Sequence, residues 1–232
     1  MKNKRKFLIF SPHPDDLDFA CSGTCAKLIS EGNEVVYCII TNGEKGGRKL
    51  NQSKKEMIAI REQEQRNAGK VVGVKKVIFL RQADGDLEHT RELRKKITEI
   101  IRKVKPNIVI SFDPSNNSFD NFYRYHRDHR IAAEVVFDAI YPAVGSEVFF
   151  PELMKKNILP HKIDEVWFYA PERPNFFINI TKTIDKKIKA LKKHKSQIKN
   201  IIGLEKRIRD WAKENGKKRR MPYAETFRKV IL

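Results

Sequence analysis

Two short segments of the 232-residue sequence concentrate side chains that bind metals or move protons: Ser11-Pro12-His13-Pro14-Asp15-Asp16 and His126-Arg127-Asp128-His129. In the first, a histidine and two carboxylates fall within four residues, directly after an apolar run that ends at Phe10. Imidazole nitrogen and carboxylate oxygen are both ordinary zinc ligands. Helix capping by Asp15 or Asp16 at the positive end of a helix dipole explains one acid. It does not explain a histidine with two acids at a strand end, where ionised groups cost energy to desolvate. The second segment closes a stretch, 113–127, rich in Asn, Asp, Ser and Tyr and long for a loop in a compact domain. A catalytic zinc takes three protein ligands and keeps a fourth position for water. His13, Asp16 and one of the two histidines, His126 or His129, would complete that set. Each segment alone is a weak signal; the two together are much stronger.

The elements that must position these residues follow from hydrophobic patterning. Short β-branched and aromatic runs at 7–11, 35–41, 77–80, 108–112, 165–169 and 176–180 predict strands. Between the early ones, 16–31, 53–72 and 90–105 predict helices, with another from about 128 to 140, ending before Pro142. Strand and helix in alternation predict an α/β, Rossmann-like fold, a mostly parallel sheet flanked by helices. Runs such as Val-Val-Tyr-Cys-Ile-Ile suit strands buried on both faces. The first motif then lies at the carboxyl edge of the first strand, where ligands bind in such sheets. Toward the C-terminus Ile184, Ile188, Leu191, Ile198 and Ile202 keep a helical rhythm among lysines, which predicts one amphipathic helix. No repeats or Gly/Ser linkers interrupt the chain, so a single domain over 1–232 is expected.

With these motifs in place, the sequence resembles the LmbE/PIG-L family of zinc-dependent N-acetylglucosaminyl deacetylases over most of its length. The pattern His-Pro-Asp-Asp, six residues, then Gly runs from His13 to Gly23, and His-x-Asp-His runs from His126 to His129. Arg127 departs from the proline usual at that position. Weaker matches are Thr41-Asn42-Gly43-Glu44, Arg61 to Glu64, Ala190-Leu191 with His194-x-Ser196-Gln197, and Tyr223-Ala224-Glu225-x-Phe227. The resemblance implies one zinc ion per chain, held by His13, Asp16 and His129, with Asp15 as general base. Asp15 suits that task on chemical grounds too, being beside a ligand without having to ligate. It further implies that a protonated His126 assists the leaving amine or the oxyanion. Asp128 would fix a histidine tautomer from behind the metal. Arg48, Arg61 and His194 are the implied substrate contacts, although both arginines also read as surface charges.

Composition narrows the partners. The chain carries 48 Lys+Arg against 29 Asp+Glu, a net charge of +19. That field suits nucleic acid or anionic surfaces, and Lys217-Lys218-Arg219-Arg220 makes a non-catalytic nucleic-acid-binding protein the alternative. The lysines are scattered, however, and such a protein has no use for the two motifs. The expected partner is therefore a small amino-sugar derivative, not nucleic acid, with homo-oligomerisation left open. Three cysteines without CxxC spacing argue against a disulfide framework or a thiolate zinc site. The apolar run FLIF after MKNKRK is too short for a signal core or a membrane span. A cytoplasmic protein without stable membrane insertion is expected.

Overall fold

The computed structural model describes residues 4–47, 53–117 and 121–232. A seven-stranded sheet forms its centre, built from β1 (Lys6–Ser11), β2 (Glu34–Thr41), β3 (Lys76–Gln82), β4 (Ile108–Phe112), β5 (Glu165–Tyr169), β6 (Phe176–Asn179) and β7 (Ala224–Ile231), in the spatial order β3-β2-β1-β4-β5-β7-β6. The first five strands are mutually parallel; β7 runs antiparallel to both β5 and β6. The mostly parallel sheet expected from the sequence is present. Its last strand in sequence, β7, was not anticipated, because Glu225, Arg228 and Lys229 interrupt the apolar pattern of AETFRKVI.

Side chains of the central strands alternate between two cores, as the pleat requires. Phe7 and Ile9 of β1 pack on one face with Leu17 and Cys21 of α1 (Asp16–Ser30), Val72 of α2 (Lys54–Val72) and Ile188 of a later helix. Leu8 and Phe10 pack on the other with Ile97 of α3 (Arg91–Val104) and Val135 of α4 (Arg127–Asp138). All three cysteines are buried free thiols of this interior.

Strand order decides where a site can form. From β1 the chain winds outward through β2 and β3, then returns to place β4 on the opposite flank of β1. Phe7 pairs with Val35 on one side and Ile108 on the other. Helices α1 and α4, which leave the carboxyl ends of these neighbours, pack on opposite faces of the sheet. Their entry loops therefore part, opening a crevice at the switch point.

The C-terminal pattern read as one helix is two. After the four-residue α5 (Pro151–Met154) and β6, α6 (Ile184–Leu191) ends and α7 (Ile201–Lys217) starts ten residues later. Specific polar contacts outweigh helical continuity in between. Ser196 donates both its N–H and hydroxyl to Glu64, at 2.7 Å each, Gln197 donates to the Gly46 carbonyl, and Asn200 caps α7 by accepting from Gly203 N. Likewise α4 stops at Asp138 and a wide turn, Ala139–Val144, carries Pro142.

Candidate metal centre

The crevice between β1 and β4 holds the two motifs face to face. His13 Nδ1 lies 2.9 Å from Asp16 Oδ2, Asp16 Oδ2 lies 3.1 Å from His129 Nε2, and His129 Nε2 lies 3.3 Å from His13 Nδ1. All three residues are buried. Zinc–ligand bonds of ~2.0–2.2 Å at tetrahedral angles space the donor atoms by roughly 3.3–3.5 Å. The donor triangle thus fits a metal ion after a shift of a few tenths of an ångström. His126 also brings a ring nitrogen to this cluster, and His13, Asp84 and Asp128 make a second buried group. The second group engages the other ring nitrogen of His13.

That other nitrogen fixes the ring. His13 Nε2 meets Asp128 Oδ2 at 3.0 Å and Asp84 Oδ1 at 3.2 Å. Asp128 is itself held by the backbone N–H groups of Gly85 and Leu87. A carboxylate on the far nitrogen sets the tautomer, leaving Nδ1 free to ligate. Burial alone would lower the His13 pKa, but Asp16, Asp128 and Asp84 together raise it well above its ordinary value. Burial would raise Asp16, yet His129 and His13 hold it well below the carboxylate range. These opposed shifts mark His13 and Asp16 as a tightly coupled pair, an arrangement in which a metal cation can take the place of a proton.

Asp15 is different. Its backbone has φ 106° and ψ −34°, a left-handed conformation rare outside glycine and costing of order 1–3 kcal/mol. The turn is pinned on every side: Asp15 N donates to Gln65 Oε1, its carbonyl accepts from Asp18 N and Phe19 N, and Arg61 donates to the preceding Pro14 carbonyl at 2.6 Å. Although Asp15 precedes α1, its side chain makes no capping bond. It faces the cavity instead, 3.4 Å from Arg61. Burial raises its pKa from 3.8 to about 6, with Arg61 opposing.

His126 stands at the start of α4, where its Nδ1 accepts from Asp128 N at 3.2 Å. Burial and the neighbouring His13 and His129 push its pKa down. With Nδ1 accepting from Asp128 N, Nε2 is left to carry the proton of the neutral ring.

The site cavity encloses about 360 Å³ and is walled by both motifs, Lys45, Gly46, Arg61, Asp84, Phe122 and Tyr123. Arg61 is no surface charge. It is buried beneath the loop after β2, donating to the Gly43 carbonyl, and a Cβ on Gly43 (φ +70°) would lie 2.6 Å from its guanidinium. His194 is corrected as a substrate contact. It is wholly buried, bonded through Nε2 to Asp18 at 2.8 Å, while Gln65 donates to the same Asp18 oxygen. It buttresses the turn at Asp15 from behind. Arg48 lies outside the described residues.

Two contributors were missed in the sequence. Asp84 follows β3 in Ala83-Asp84-Gly85-Asp86, and its position at another carboxyl strand end was the available signal. Tyr123 donates to Asp16 Oδ1 at 3.2 Å and packs its ring 4.7 Å from that of His129. Nothing distinguished it from the other aromatic residues of its loop.

The family described as GlcNAc-PI de-N-acetylase, PIG-L, matches residues 8–140, more than half of the chain and the span holding both motifs. The chain belongs to the PIG-L family. Among its relatives, the diacetylchitobiose deacetylase of Thermococcus kodakarensis is 33% identical over 97% of this chain and 83% of that protein. A probable N-acetyl-alpha-D-glucosaminyl L-malate deacetylase 2 of Bacillus anthracis is 30% identical, covering 85% of this chain and 83% of the relative. The solved structure of N,N'-diacetylchitobiose deacetylase from Pyrococcus horikoshii, complexed with its inhibitor MPG, superimposes with a TM-score of 0.91 at 30% identity. It covers 99% of this chain and 85% of that one. Among the described residues of this PIG-L protein, no helix is long and apolar enough to cross a membrane.

Proposed function

We propose that this PIG-L protein, acting as one domain over 1–232, binds one zinc ion through His13, Asp16 and His129 and removes the acetyl group from an N-acetylglucosamine-type sugar. The products are acetate and a free amine. The reading takes a water-soluble amino sugar as partner, not nucleic acid, and the cytoplasm as its setting. The observation that carries it is the convergence of His13 Nδ1, Asp16 Oδ2 and His129 Nε2 at the β1–β4 crevice. Relatives that deacetylate such sugars support the substrate class.

A zinc ion held there supplies Lewis acidity and lowers the pKa of a water toward neutrality. The chain's own groups do the rest. Asp15, with a pKa near 6, is ionised at neutral pH yet basic enough to accept a proton from the attacking water. His126, neutral and exposed to the cavity, donates from Nε2 to the carbonyl oxygen as charge develops there. The amine departs with a proton returned by Asp15, which closes the proton balance. Arg61 positions rather than reacts, holding the Pro14 and Gly43 carbonyls so that Asp15 keeps its left-handed turn. The test is an acetate-release screen over N-acetylglucosamine derivatives, with zinc and with chelator. Release that persists unchanged in chelator would refute the metal; no release from any N-acetyl sugar would refute the substrate class.

A further inference from the structure

The charge that reads as scattered along the sequence is unevenly placed. Residues 181–220, which span α6 and α7, hold sixteen basic and four acidic residues, a net +12 of the chain's +19. Three of the four acids pair within this segment: Asp185 with Arg209, Glu205 with Lys192 and Arg209, and Glu214 with Lys217. Thirteen of the sixteen basic residues are exposed, ten of them lysines. On the far side of the sheet the balance differs. There Arg91, Arg94, Lys95 and Lys103 of α3 each meet an acid, from Glu92, Glu99, Asp138 and Glu152.

Packing turns the unmatched cations outward together. Ile184, Ile188 and Leu191 of α6 and Leu204, Ile208 and Ala212 of α7 all enter the same core, on one face of the sheet. The opposite sides of both helices therefore look away from the sheet in the same sense. Around α6, Lys182, Lys186, Lys189 and Lys193 follow at intervals of four, three and four residues, a stripe on one helix face. On α7, Ile202, Lys206 and Lys213 are four and seven residues apart and share a stripe too. Ile202 is 86% exposed and its neighbour Ile201 45%.

A nucleic acid and an anionic bilayer both carry enough negative charge to meet such a surface. The side chains favour the bilayer. Lysine outnumbers arginine ten to three among the exposed cations, which suits diffuse attraction to headgroups more than the bidentate grip that arginine gives a phosphate. An exposed isoleucine in line with lysines has no counterpart in a phosphodiester backbone, whereas at a headgroup boundary it enters the acyl edge. Among the described residues no helix can span a membrane, so attachment is superficial and needs both signals, the basic stripes and the apolar contact. No residue of α6 or α7 lines the site cavity, so this surface acts independently of the sugar the site accepts.

We infer that the outward face of α6 and α7 docks the protein reversibly on an anionic lipid bilayer, with the lysine stripes over the headgroups and Ile202 dipping beneath them.

The test sediments the full chain with vesicles of half phosphatidylglycerol and half phosphatidylcholine, and with vesicles of phosphatidylcholine alone. Binding is expected only to the first and should weaken as salt screens the surface; equal binding to both, or to neither, overturns the docking surface. Each lysine over an anionic surface contributes roughly fivefold in partitioning. The quadruple variant Lys182→Gln, Lys186→Gln, Lys189→Gln and Lys193→Gln should therefore bind at least about a hundredfold more weakly. The same change at Lys103, Lys105, Lys155 and Lys156, at the ends of α3 and α5, should have little effect; an equal loss would overturn this face and leave net charge responsible. Ile202→Ser, at a side chain too exposed to matter for folding, should weaken vesicle binding severalfold and leave its salt dependence unchanged. An Ile202→Ser protein that binds like wild type, or a wild-type protein that prefers duplex DNA to the anionic vesicles, would overturn the bilayer and give the face to a soluble polyanion.

Discussion

Replacing Asp15 by Asn separates proton transfer from metal binding. The change keeps size and shape, and Asn tolerates left-handed backbone about as well as Asp, so the turn at φ 106° should survive. No helix cap is lost, because the Asp15 side chain makes none. His13, Asp16 and His129 keep their mutual contacts, and Arg61 keeps the Pro14 and Gly43 carbonyls. What disappears is the acceptor for the water's proton. Loss of a general base costs a factor of about 10² to 10⁴, or roughly 3–5 kcal/mol of barrier. Steady-state acetate release should show kcat lowered within that range, with zinc content and substrate affinity near normal. Any acid limb of the wild-type kcat/KM profile at or below pH 6 should vanish in the variant. Stability supplies a second readout in the metal-free protein. The folded pKa of Asp15 is raised from 3.8 to about 6, so the folded state binds the extra proton and loses stability as pH rises between these values. The shift corresponds to roughly 3 kcal/mol as an upper bound. Asp15→Asn should therefore gain on wild type through that window, reaching its full advantage above pH 6. Wild-type turnover in the variant would refute the base assignment. Loss of zinc would make Asp15 a ligand and reverse the reading of the two carboxylates.

Other outcomes follow from the same geometry. His13→Ala, Asp16→Ala or His129→Ala should each reduce bound zinc well below one per chain by metal analysis; full occupancy in His129→Ala would move that ligand elsewhere. Burial alone would lower the pKa of His194, but Asp18 raises it above 6.5. Its stabilising contribution is thus complete below pH 6.5 and lost as pH climbs through the folded value, so the melting difference between wild type and His194→Gln should shrink in that direction. Gly43→Ala places a methyl group on the Arg61 guanidinium in a left-handed position, and should cut kcat/KM at least tenfold, by roughly 1.4 kcal/mol or more, while leaving zinc content intact. If the basic surface is only a solvated face, kcat/KM on a neutral sugar should change less than about twofold between low and moderate salt, whereas a collapse would indicate electrostatic steering of an anionic substrate.

The parts of the site legible in the sequence are those where chemistry is dense along the chain. His13, Asp15 and Asp16 announce themselves because strand ends seldom carry three such groups, and His126 to His129 repeat the signal. Parallel strands buried on both faces were readable from continuous apolar runs such as that of β2. What stayed hidden depends on tertiary pairing. Asp84 is one acid in a polar turn, and only the adjacency of β3, β2 and β1 carries it to His13. His194 and Ser196 lie in a stretch whose helical rhythm is real, and their partners Asp18 and Glu64, more than 130 residues away, break that helix. The antiparallel β7 escaped because its charged residues, Glu225, Arg228 and Lys229, dilute the strand pattern. Its Glu225 is nonetheless buried, receiving Lys187 at 2.5 Å and the Gly23 and Thr24 N–H groups of α1.

The proposed ligand triangle joins Asp16 and His129, whose helices α1 and α4 pack on opposite faces of the sheet across the β1–β4 pairing. A bound ion would therefore act as a clasp across the middle of the fold, and no shorter folded fragment could offer the same grip. A nascent chain cannot assemble this clasp until β4 has docked and α4 has begun. A ligand that recognises only the closed arrangement stabilises it by mass action, by about 4 kcal/mol at a thousandfold excess over its dissociation constant. Metal supply would then govern how much folded protein accumulates as well as how fast it works.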